Sequence, residues 1–148
     1  MKHIKVILLF GILLVSIACL PQNTKDLVIG ELKDQSHVDG CGCYFTFLSG
    51  DKDVIQMETD TLVWMNINGI DQRFKLDNST QTNEAYKVGM KWAEQYSNDL
   101  YTFQINYIVT SICSPDDENC EWTGMDATII LKQGNLKAGA KVRGGCGC

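Results

Sequence analysis

Two Cys-Gly-Cys tripeptides constrain this chain more than any other feature. Cys41-Gly42-Cys43 and Cys146-Gly147-Cys148 stand at the two ends of a long stretch of alternating sequence. In an extended strand, residues i and i+2 point to the same face. If the strands carrying the tripeptides pair antiparallel, Cys41 faces Cys148, Cys43 faces Cys146, and Gly42 meets Gly147 on the reverse side. A bond within one tripeptide would instead have to pull in Cα atoms that lie about 7 Å apart, near the limit of disulfide reach. A bridge closing about 100 residues contributes about 4–5 kcal/mol in the chain-entropy model, and a second beside it much less, because the loop is already closed. Cys113 and Cys120 bracket Ser-Pro-Asp-Asp-Glu-Asn, a polar loop whose ends a hairpin would bring together. The spacing therefore favours a third bridge there.

The first residues bear on whether those thiols meet an oxidising compartment. The chain begins Met1-Lys2-His3-Ile4-Lys5, and residues 6–15 are apolar apart from Gly11. That run is too short to cross a ~30 Å hydrocarbon layer as a helix, which takes about 20 residues. A basic start, a short apolar run and then small residues is the pattern of a signal peptide over residues 1–18. Ser16 and Ala18 suit the −3 and −1 positions of cleavage, and Cys19 follows.

Val15-Ser16-Ile17-Ala18-Cys19 resembles the lipobox of bacterial lipoproteins, with Ser16 where the commonest pattern has Leu. The resemblance covers about the first twenty residues. It implies export, diacylglycerol on Cys19 as the mature N-terminus, and the membrane as a partner through that lipid. Leu20 stands where a retained lipoprotein would carry Asp, so the resemblance implies an outer-membrane protein facing the periplasm. A secreted or soluble periplasmic protein is the alternative. With Cys19 acylated, six of the seven cysteines remain, an even number in an exported chain, which points to disulfides. A four-thiolate site for Zn or Cu(I), built from Cys41, Cys43, Cys146 and Cys148, is the rival reading. A redox-active pair within one tripeptide is a third, although no Cys-x-x-Cys is present.

Residues 1–18 carry Lys2, Lys5 and no acid, so their removal takes the formal net charge from −5 to −7. Nucleic-acid binding wants a basic face, and this balance argues against it. Acidity fits solubility or attraction to a basic partner.

Residues 19–40 read as the lipidated cysteine and a tether, with one short strand candidate at Leu27-Val28-Ile29. Beyond Gly40 the apolar period becomes two. Cys43, Phe45 and Phe47 alternate with Tyr44, Thr46 and Leu48 before a turn at Gly50-Asp51-Lys52-Asp53, and residues 54–58 make another strand. Leu62-Val63-Trp64-Met65-Asn66-Ile67 runs into Asn68-Gly69, which suits a type I′ hairpin pairing Ile67 with Ile70, Met65 with Gln72 and Val63 with Phe74. Residues 83–96 fit two templates. Ala85, Val88, Trp92, Ala93 and Tyr96 have helical spacing, yet Gly89 interrupts it, and a strand from Gly89 fits better. Tyr101, Phe103, Ile105, Tyr107 and Val109 line one face of a further strand, and two more span 127–132 and 136–143 about a turn at Gln133-Gly134-Asn135. The expected architecture of 41–148 is a single antiparallel β-sandwich or small barrel of about 7–8 strands, with one helix near 83–96 as the alternative.

Chemistry is sparse. His37 is the mature chain's one histidine and lies in the tether, so a Ser-His-Asp or Cys-His site is not expected. Asp116-Asp117-Glu118 sits on an apparent loop tip, without the spacing of an EF-hand. Asn78-Ser79-Thr80 fits a glycosylation sequon but reads as a loop in a bacterial lipoprotein. Trp64, Trp92 and Trp122 are candidates for a binding surface, with core packing the default. The expected function is a non-catalytic binding or structural role in the envelope, with no catalytic residues, no cofactor, and an unidentified envelope protein or ligand as partner. Small acidic lipoproteins that inhibit basic lysozymes are similar in size, charge and address, which is an analogy of type only.

Overall fold

The computed structural model describes residues 26–59, 61–82, 84–114 and 120–148. The signal segment, Cys19 and Asp116-Asp117-Glu118 lie outside the described residues. Nine strands form among the described residues: β1 (Ile29–Gly30), β2 (Gly42–Phe47), β3 (Asp53–Thr59), β4 (Leu62–Ile67), β5 (Ile70–Ser79), β6 (Lys91–Ser97), β7 (Thr102–Ser111), β8 (Trp122–Gln133) and β9 (Leu136–Gly147). All pairings are antiparallel.

From β2 to β9 each strand pairs with its successor in sequence, and β9 returns to pair with β2. The result is an eight-stranded up-and-down barrel, with β1 added alongside β4. Of the sandwich and the barrel that the alternation allows, the chain forms the barrel. Closure removes the open edges that a sandwich would leave.

The interior follows the alternation. Phe45, Ile55, Met65, Phe74, Phe103, Ile105, Ile129, Leu131 and Val142 are among its fully buried residues. Phe103 meets Phe74 edge-on at 4.9 Å and stacks on Tyr96 at 4.9 Å. The Asn-Gly hairpin has the expected register, Ile67 to Ile70, Met65 to Gln72 and Val63 to Phe74. Asn68 and Gly69 take φ of 53° and 82°, the two positive angles that a type I′ turn requires.

Two stretches differ from expectation. The described part of 83–96, residues 84–96, forms no helix. Gly89 takes φ of 86° and its amide donates to the Val109 carbonyl, which starts pairing along β6 and β7. Ala85 and Val88, which the helical template would bury, are exposed.

Residues 26–38, read as tether, instead pack against the barrel: Leu27 joins the core cluster, and Leu32 and Val38 are buried apart from it. The segment covers part of the outer face of β3, where Gln56 donates to the Gln35 carbonyl at 2.8 Å and is as buried as the inward Ile55 and Met57; Val54, at a bulge opposite Phe45, belongs to the core. Asp71 fastens this segment. Its carboxylate accepts from the Lys33 and Asp34 amides at 3.0 and 2.9 Å and from Asn66 Nδ2 at 2.6 Å. His37 Nε2 lies 3.3 Å from it, and the imidazole stacks flat on Trp64 at 3.9 Å. Burial opposes the charge of Asp71, but the hydrogen bonds from Asp34, Asn66, Lys33 and His37 outweigh it and hold the carboxyl below its usual range.

Candidate functional site

The two tripeptides meet at one end of the barrel. Cys41 is bonded to Cys148 and Cys43 to Cys146, with Cα atoms 4.0 Å apart in each pair, and Gly42 faces Gly147. Glycine makes this close approach feasible. A Cβ on Gly144 would strike the Tyr44 carbonyl, and one on Gly145 the Thr123 carbonyl. Cys113 and Cys120 form the third bridge, 7 positions apart. The four sulfurs of the tripeptides are therefore joined in pairs across β2 and β9, which leaves no thiolate there for the Zn or Cu(I) alternative. No group of three or more His, Cys, Asp or Glu able to hold a metal occurs among the described residues.

Beneath the Cys43–Cys146 bridge the barrel mouth encloses a pocket of about 100 Å³. Trp92, Glu94 and Tyr96 alternate along β6, so all three face inward, and Tyr107 lies opposite Trp92 on β7. Gln81 and Tyr86 reach in from the connection between β5 and β6. That connection is pinned at both ends, by the Thr80 amide on the Ala93 carbonyl at 2.9 Å and the Gly89 amide on Val109 at 2.8 Å. Gln81 Nε2 donates to the Tyr86 hydroxyl at 2.8 Å.

Glu94 is the chemical centre of the pocket. The Tyr96 and Tyr107 hydroxyls both donate to its Oε2, at 2.7 and 2.9 Å, and Ser79 Oγ donates to Oε1 at 3.3 Å. Among the described residues no Lys, Arg or His lies within ion-pair distance of this carboxylate. Burial pushes the Tyr107 phenol well above its usual value, and Tyr96 and the Glu94 charge add to the effect. Tyr107 thus remains a proton donor to Glu94 across the neutral range.

Aromatic walls complete the site. Trp92 stacks on Tyr107 at 4.7 Å, and Tyr86 leans on Trp92 at 5.5 Å. Trp92 is 7% exposed, and its buried indole N–H has no hydrogen-bond partner among the described residues. An unpaired buried donor is destabilising by about 1–3 kcal/mol.

Of the residues singled out in sequence, the six cysteines come together as three bridges, of which Cys43–Cys146 borders the pocket. Trp92 lines the pocket, Trp64 lies outside the barrel beneath His37, and Trp122 is exposed beside Gly145 and Gly147. Asn78 and Ser79 belong to β5 rather than to a loop. The sequence reading missed Glu94, Tyr86 and Gln81. Glu94 left a signal, an acid on the face that β6 shares with Trp92 and Tyr96, but the competing helical period of 83–96 concealed it.

Comparison with protein-family models, curated proteins and solved structures finds no match to this chain.

Proposed function

We propose that this chain is a non-catalytic binding protein of the bacterial cell envelope, exported by residues 1–18, anchored by lipid on Cys19, and taking a small polar ligand into the mouth of its barrel. The observation that carries the binding reading is Glu94, an inward carboxylate fixed by three hydroxyls beside the unpaired Trp92 N–H. An eight-stranded barrel has room for packed side chains or for one small ligand. Here it is packed through most of its length and hollow at one mouth.

Binding fits better than catalysis because both phenols converge on one oxygen, which fixes an acceptor and positions no second acid or base. His37 stacks on Trp64 outside the barrel, away from the pocket. The three disulfides suit an oxidising compartment, as export would provide.

Two measurements test the reading. Cys19→Ser should move the protein from the membrane fraction to the soluble periplasmic fraction; equal membrane retention would refute the anchor. A screen of small polar compounds by thermal shift on that soluble form should find stabilisers that Glu94→Gln weakens. A barrel indifferent to every compound, and carrying none when extracted from its own envelope, would refute the binding role.

A further inference from the structure

We infer that the barrel mouth recognises a small organic ammonium group, such as that of an amino alcohol or its ester. This rests on the binding reading above and names its ligand class. Glu94 supplies an anionic oxygen pair that no cation of the described chain neutralises. A carboxylate in an aromatic-walled recess is a setting that favours a ligand cation over a neutral group. Tyr96 and Tyr107 both hold Oε2, whereas Oε1 has only the longer contact from Ser79, so Oε1 is the better-placed oxygen for an incoming ammonium charge.

The aromatic rings select the same class. Trp92, Tyr107 and Tyr86 stand together at ring separations of 4.7 and 5.5 Å, and the ring quadrupole attracts alkylammonium groups. A pocket of about 100 Å³ admits a small head group and excludes a bulky one. The shared chemistry has two sources in an envelope, a free amino alcohol or the head group of a phospholipid.

The test is calorimetric titration of the Cys19→Ser full-length protein with choline, ethanolamine and 3,3-dimethylbutan-1-ol, the neutral carbon isostere of choline. In parallel, co-sedimentation compares phosphatidylethanolamine-rich vesicles with phosphatidylglycerol vesicles. Choline or ethanolamine should bind at least tenfold more tightly than the isostere, and Glu94→Gln, which keeps an acceptor for both phenols, should remove that preference. Preferential retention on phosphatidylethanolamine without a response to the free amines supports the same chemistry with a lipid source. Equal binding of choline and its isostere overturns the ammonium assignment while leaving a ligand-binding barrel. No binding to any of these probes overturns it as well, and the mass of the envelope-extracted protein then decides the parent reading. A retained small molecule keeps that reading, and a bare barrel removes it.

Discussion

The twin bridges between β2 and β9 should behave as a coupled pair. Cys41–Cys148 and Cys43–Cys146 close loops of 107 and 103 residues. With either bond in place, the other closes only the small ring formed by the two tripeptides. The chain-entropy relation gives about 4.7 kcal/mol for a loop of about 100 residues and about 2 kcal/mol for a ring of about six. Replacing either cysteine pair by alanine should therefore be destabilising by about 2 kcal/mol, and replacing both by about 7 kcal/mol. The excess of the double replacement over the two singles, about 3 kcal/mol, is the coupling to be measured. Urea unfolding of wild type, the two single-pair variants and the double variant provides the cycle, read from the midpoint shifts if the slopes agree. A double variant equal to the sum of the singles would show that the bonds do not close the same loop. A single variant as unstable as the double would show that one bond alone carries the constraint. Either outcome refutes the reasoning.

Other expectations follow from the same contacts. Gly144→Ala would drive a methyl into the Tyr44 carbonyl and should lower stability by about 3 kcal/mol in calorimetric melting, whereas Gly139→Ala, with its nearest contact an ordinary 3.5 Å, should change it by less than about 1 kcal/mol. Equal melting of the two variants would contradict the close pairing of β9. Because the folded Asp71 carboxyl lies below its unfolded value, its contribution is present above about pH 4 and disappears as pH falls through the folded value. Asp71→Ala should accordingly flatten the acid limb of the stability curve and speed hydrogen exchange over residues 31–38, and an unaltered acid limb would count against the clasp. Tyr107 is raised, so its contribution is complete below about pH 10 and declines as pH rises, by about 1.4 kcal/mol per pH unit while the folded form keeps its proton. Tyr107→Phe should remove one proton from that alkaline slope, and a slope unchanged by the substitution would refute the assignment.

What the sequence made legible was whatever repeats locally. Asn68-Gly69 dictates its turn through backbone sterics alone, and the register of β4 and β5 follows from it. The tripeptides reveal the β2–β9 closure because two cysteines at strand spacing can match two others only in one antiparallel register. The packing of residues 26–38 was hidden because Leu27, Leu32 and Val38 follow neither period, and the barrel they pack against is built from later parts of the chain. Gln56, buried on the face that alternation assigns to solvent, was the trace of that cover. The β6 site was hidden for another reason. Trp92 and Tyr96, four residues apart, fit a helix face as well as a strand face, and Glu94 falls inside only on the second. The ends of β8 and β9 extend beyond 127–132 and 136–143 because Gly124, Gly144 and Gly145 bring no β-branched or aromatic signal, although their missing side chains are what let these strands lie so close.

The central claim, a lipid-anchored barrel that holds a small ligand against Glu94, is tested most directly by non-denaturing mass spectrometry of the protein extracted from its own envelope. The account predicts a chain beginning at acylated Cys19, six hydrogens lighter than its reduced form for three disulfides, and carrying a small non-covalent adduct that Glu94→Gln loses. A folded, unacylated chain, or one whose mass shows no adduct in wild type and variant alike, would contradict it.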